Sequence, residues 1–172
     1  MAGSHLPPLF SERVNVVIFY DFEVFKEDWL AVFIDVTKKK EYVIINNPDE
    51  LKALYEANSK DIWVGYNNRH YDQYIFKGIL LGMNPKRIND WIIVEKREGW
   101  QFSSAFNKVP MINYDVMPNP PVGLKTLEGF LGSNIKETDV DFRINRKLTK
   151  EEIEMTAFYC CLLYTSDAAD EL

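Results

Sequence analysis

The chain has 172 residues, 47% hydrophobic and 14% aromatic, which excludes a disordered polymer and suits one domain with a single sizeable core. A formal net charge of −6 excludes a domain that grips nucleic acid through a broad basic surface, but not an enzyme that meets a phosphodiester through cations in an acidic pocket. No apolar run reaches the roughly 18 residues of a membrane span. The two cysteines, Cys160 and Cys161, are neighbours and poor disulfide partners, and two thiols alone make a weak zinc case, so a reducing, cytoplasmic setting is expected.

Residues 1–5 (MAGSH) have no signal-peptide anatomy and read as a non-native leftover. The first element is Val16 to Glu23, an apolar run of β-branched and aromatic residues. It predicts a strand buried on both faces in the middle of a sheet. Asp21 and Glu23 lie at its end, two apart, so both point to one face. Two like charges at the edge of a core repel and resist losing water. A bound divalent cation reverses both penalties. The alternative is a strand that runs out into an acidic turn.

Leu30–Val36 and Glu41–Asn46 read as strands, joined by a solvated turn at Lys38, Lys39 and Lys40, so the chain opens with an antiparallel meander. Asn47 as N-cap, Pro48 at N1 and Glu50 at N3 start a helix that Asn58 stops. Ile62–Tyr66 is a fourth strand. Tyr71–Leu81 is a second helix, closed by Gly82 and Pro85. A further helix is expected within Lys86–Trp100. Met111–Val116 is a fifth strand, followed by Pro118, Pro120 and Pro121. Leu124–Leu131 is a short helix, and Asn134–Lys147 is irregular. Thr149 and Glu152 form a capping box that opens the last helix. A meander followed by alternating helix and strand implies an α/β fold with a five-stranded mixed sheet flanked by helices.

A second acidic feature is Asn67-Asn68-Arg69-His70-Tyr71-Asp72, at a strand-to-helix junction. Asp72 in the first helical turn is also what the helix dipole favours, by roughly 0.3–1 kcal/mol. A third is Tyr159, on a helix face that continues to position 163.

Here the chain resembles a known family. Asp21-Phe22-Glu23 is similar to the first motif of the DEDD 3′–5′ exonucleases, and Gly65 to Asp72 resembles their second. The element order resembles their ribonuclease H-like fold. Gly123-Leu124-Lys125-Thr126-Leu127-Glu128 and the Leu148–Glu152 opening resemble the proofreading exonuclease domain of phage-type DNA polymerases. Together these place an exonuclease-like domain at 10–160.

The resemblance implies DNA 3′-end hydrolysis with two Mg2+ or Mn2+ ions, held by Asp21, Glu23, Asp72 and a last acid, with Tyr159 orienting the attacking water. It implies a single-stranded DNA 3′ end as partner, a polymerase region elsewhere, and a bacterial host cytoplasm if the source is a phage. Phe22, Asn67, Asn68 and Tyr71 become candidate nucleic-acid contacts, with core packing the alternative for Phe22. His70 does not occupy the position of the catalytic histidine in the family's other branch. Arg69 and Lys125 are expected to be solvated.

The third motif departs from the pattern. Tyr159-Cys160 begins it, but Leu163 stands where the last acid belongs. Asp167 lies one turn further on, displaced by about 6 Å, too far to replace a metal–oxygen bond of about 2.1 Å. From Cys161 the sequence changes character. Residues 161–172 resemble the translated adaptor tails of truncated metagenomic reading frames, so weak or absent activity is expected. Two other readings stand beside this one. The first is an inactive exonuclease-like module that holds single strands. The second is an RNA-directed or endonucleolytic ribonuclease H-like enzyme.

Overall fold

The computed structural model describes residues 15–123, 126 and 140–165, the side chains of 161–165 excepted. Strand β1 (Val17–Val24) lies at the centre of the sheet. It pairs antiparallel with β2 (Trp29–Asp35), and β2 pairs antiparallel with β3 (Lys40–Ile45). On its other side β1 pairs parallel with β4 (Ile62–Gly65), which pairs parallel with β5 (Ile112–Asp115). The order β3-β2-β1-β4-β5 is the five-stranded mixed α/β sheet expected from the element order.

One face of the sheet packs on helices α1 (Pro48–Ala57), α2 (Asp72–Leu80) and α3 (Pro85–Asn89). The core there joins Ile18, Tyr20 and Phe22 of β1 to Leu51, Ile75, Phe76 and Ile88. It is dense in aromatic rings. Phe22 lies 5.4 Å from Phe76 and 5.9 Å from Phe33, centroid to centroid, and such pairs add about 0.5–1.5 kcal/mol each beyond their buried area. The other face is covered by helix α4 (Lys150–Thr165), which packs Ile153, Ala157 and Cys160 near Phe25, Leu30 and Val32.

This layering corrects one expectation. β1 is not buried on both faces: Ile18, Tyr20, Phe22 and Val24 are buried, while Val17, Phe19, Asp21 and Glu23 are half-buried. The strand sealed on both sides is β2, because α4 crosses above it. The alternation puts Asp21 and Glu23 together on the α4 side.

Local chemistry explains the helix ends. Asn47 accepts the Glu50 N–H at 3.1 Å, and Thr149 and Glu152 close a reciprocal box, at 3.2 and 2.7 Å. Gly82, at φ 73°, ends α2. Pro85 then acts as the first residue of α3, behind the N-cap Asn84, rather than as a mere stop. The helix expected across 86–100 is broken. α3 runs into a π-turn at Asp90–Val94, and a separate 3-10 turn follows at Gly99–Gln101. Lys96 adopts a positive φ between them, which no helix continues through. The short helix expected at 124–131 lies outside the described residues, save Thr126, and so do residues 134–139 of the irregular stretch.

Candidate metal centre

Asp21 and Glu23 leave the end of β1 toward α4, whereas Asp72 is the first residue of α2, on the opposite layer. The parallel β1–β4 pairing brings them together. β4 ends at Gly65 beside Tyr20, and the turn after it swings Asp72 under the β1 backbone. The Asp72 carboxylate accepts the Phe22 N–H at 3.1 Å, at the residue between the other two acids.

That turn is held from β5. Asp115 accepts the Asn67 and Arg69 N–H groups at 2.9 and 3.0 Å, which fixes Asn67 at a φ of 57°. Asn68 is fully buried and exchanges amide hydrogen bonds with Asn113, at 3.1 and 3.3 Å, while donating to the Tyr114 carbonyl at 2.9 Å. Asn113 also accepts the Tyr20 hydroxyl at 2.9 Å. A polar network thus ties β1, β5 and the loop that delivers Asp72.

Electrostatically the centre is unbalanced. Burial raises the Asp72 pKa well above the usual carboxylate range, and the Asp21 and Glu23 charges add to it against the Phe22 N–H. Burial and then the Asp21 charge raise Glu23 likewise, while Cys160 opposes them. Burial raises Asp21, against hydrogen bonds from Cys160 and the Phe22 backbone. Among the described residues none of the ion pairs includes these three acids. Asp21 and Glu23 stand as one close pair of carboxylate donors, while Asp72 is near enough to feel their charge but is not within the 4.8 Å cluster of donor atoms that they form.

Cys160 completes the group. Its thiol is buried and lies 3.9 Å from Glu23 Oε1, and one donor atom each from Asp21, Glu23 and Cys160 lies within 4.8 Å of the others. Sequence reasoning placed this cysteine beside Tyr159 in the third motif and gave the two thiols little weight as zinc ligands. The missed signal is its spacing: 160 and 163 are three apart, so a helix turns them to one side. Leu163 falls within α4, with its side chain outside the described atoms, and Asp167 is not among the described residues.

The other candidates divide. Tyr159 is half-buried on α4, next to Cys160. Tyr71 is half-buried, donates its hydroxyl to Asn89 at 2.8 Å, and has a pKa raised well above normal by burial and then by Asp72. With Glu23 it lines an open cleft of about 500 Å3 that also presents Ile93, Val94, Phe142 and Arg143. Phe22 is 2% exposed, so its ring packs in the core and is closed to a base. The Asn68 amide is spent on its buried partners, and Asn67 serves the turn through its backbone. Arg69 and His70 are exposed. Lys125 is not among the described residues.

No protein-family model, curated protein or solved structure matches the chain. Among the described residues, no helix is long and apolar enough to cross a membrane.

Proposed function

We propose that this chain is the 3′–5′ exonuclease domain of a phage-type DNA polymerase, cytoplasmic, acting on single-stranded DNA 3′ ends and impaired by Leu163. The observation that carries this reading is the Asp72 hydrogen bond to Phe22 N–H, which draws an acid from α2 to the Asp21–Glu23 pair. The carboxylates of Asp21, Glu23 and Asp72 suit Mg2+ or Mn2+, which prefer oxygen donors. When bound, such ions supply water activation and charge stabilisation at a phosphodiester.

The chain's own groups do the rest. Asp21 and Glu23 present their carboxylates from one strand face, where the pleat holds them parallel. Tyr159 orients the attacking water from α4. The cleft beside Glu23 takes the terminal nucleoside. Its exposed Ile93, Val94 and Phe142 suit a base face, and Lys86 and Arg143 would exchange their carboxylate partners Asp90 and Asp141 for the phosphate. Leu163 removes one acidic ligand, which lowers the rate.

Single-turnover digestion of a 3′-labelled single strand tests the reading. The unchanged chain is expected to release nucleotides slowly or not at all with Mg2+ or Mn2+, and Leu163→Asp to release them faster. No metal-dependent release from either chain overturns the nuclease assignment. Rapid release by the unchanged chain overturns the role given to Leu163. A second reading, a non-cleaving single-strand binding module, draws on that same leucine. Binding that persists in EDTA, with no cleavage by Leu163→Asp, selects it.

A further inference from the structure

The donor atoms gathered at this centre are not oxygen alone. Position 163 offers no donor, and a buried thiol sits against the two β1 acids instead. We propose that Cys160 is a direct ligand, and that Asp21, Glu23 and Cys160 form a mixed oxygen–sulfur site selective for a thiophilic divalent ion such as Zn2+. This inference rests on reading the pocket as a metal centre, and it changes which ion the pocket takes.

Geometry supports it. Zinc binds carboxylate oxygen at about 2.0–2.2 Å and thiolate sulfur at about 2.3 Å, so tetrahedral ligands of the two kinds sit about 3.6 Å apart. The Cys160 sulfur and the Glu23 oxygen are 3.9 Å apart, a difference that a small side-chain rotation removes. The third donor, on Asp21, lies within 4.8 Å of both. Thiolate favours zinc-like ions, whereas Mg2+ seeks six oxygens in an octahedron. The layering makes the site rigid: Asp21 and Glu23 are fixed by the β1–β2 ladder, and Cys160 by the packing of α4 over β2. On coordination the thiol proton passes to buffer, and the ion takes its place between sulfur and carboxylates. No electron transfer is involved.

Cobalt(II) is the probe, because a cobalt–thiolate bond gives an intense near-ultraviolet charge-transfer band that oxygen ligands do not. The chain has two cysteines, so two variants separate them. The unchanged protein and Cys161→Ser are expected to show the band with one equivalent of Co2+, and Zn2+ to abolish it while a hundredfold excess of Mg2+ does not. Cys160→Ser is expected to lose it while keeping its circular dichroism spectrum. Glu23→Gln is expected to weaken Co2+ at least about tenfold, since even outer-shell substitutions cost about 10–100-fold. A band lost in Cys161→Ser and kept in Cys160→Ser overturns the assignment, as does full Co2+ affinity in Glu23→Gln. If Mn2+ binds by proton relaxation yet Co2+ gives no band, the thiol is not a ligand and the carboxylate centre stands. If neither ion binds, both readings fall.

Discussion

Asp72 and Phe22 are fifty residues apart in sequence and are joined by a buried hydrogen bond of 3.1 Å, carboxylate to backbone N–H. This contact crosses from α2 to the central strand and sets the spacing of the acidic centre. An acid that served only the helix dipole would face solvent, yet Asp72 is 5% exposed and accepts from another element.

The first prediction follows from that burial. The native pKa values of Asp72, Glu23 and Asp21 are raised, so over the range between the ordinary carboxylate value and the raised ones the folded state binds more protons than the unfolded state. Metal-free stability therefore falls as pH rises through that range. Asp72→Asn keeps an oxygen for the Phe22 N–H and removes a charge, so it is expected to melt higher than the parent in EDTA near pH 7. The parent, in turn, is expected to gain about 2.7 kcal/mol at a divalent concentration 100 times its Kd, and Asp72→Asn much less. Thermal melts with and without divalent ion measure both.

Asp115 governs the loop that carries Asp72. Removing its carboxylate leaves the Asn67 and Arg69 N–H groups without their acceptor. Asp115→Ala is expected to cost about 1–3 kcal/mol in urea unfolding. Asp115→Asn, which keeps one acceptor oxygen, is expected to lose less.

Gly65, at the end of β4, has no room for a side chain against β1. A Cβ there would lie 2.9 Å from the Tyr20 carbonyl oxygen and 2.8 Å from the Asn68 amide nitrogen. The carbonyl belongs to the central strand and cannot swing aside. Gly65→Ala is expected to destabilise by about 1–3 kcal/mol and to weaken divalent binding, because the turn leading to Asp72 must shift. Chemical denaturation and a metal titration on the same variant check the two effects together.

A second pH effect arises far from the acidic centre. Burial pushes Asp35 up, but hydrogen bonds from the Lys38 ammonium and N–H, each 2.9 Å, outweigh it and hold the carboxyl below its usual range. Its contribution is complete above the ordinary carboxylate pKa and is lost as pH falls through the depressed native value. Asp35→Asn is expected to be less stable than the parent near pH 7 and to converge with it in acid. Urea midpoints measured down the pH scale show the convergence.

Much of the architecture was readable from neighbouring residues alone. The meander, the strand expected at Ile62–Tyr66 and found at Ile62–Gly65, the Asn47 cap and the Thr149–Glu152 box depend on interactions within a few positions, and all stand in the structure. So did the pairing of Asp21 with Glu23 on one face, which follows from the period of a strand. The interruption at Asp90–Val94 was not readable, because the charges there mask any clean helical stripe.

What the amino-acid order determined by itself was the five strands, the capped helix starts at Asn47 and Thr149, and which acids would share a strand face. Only the tertiary structure decided that β2 rather than β1 is sealed on both sides, that Phe22 belongs to the core, and that Cys160 reaches Glu23 across 137 positions. The physical reason is range. Propensity, capping and the pleat act between residues a few places apart, whereas the meeting of a thiol with a carboxylate depends on where one layer comes to rest upon another.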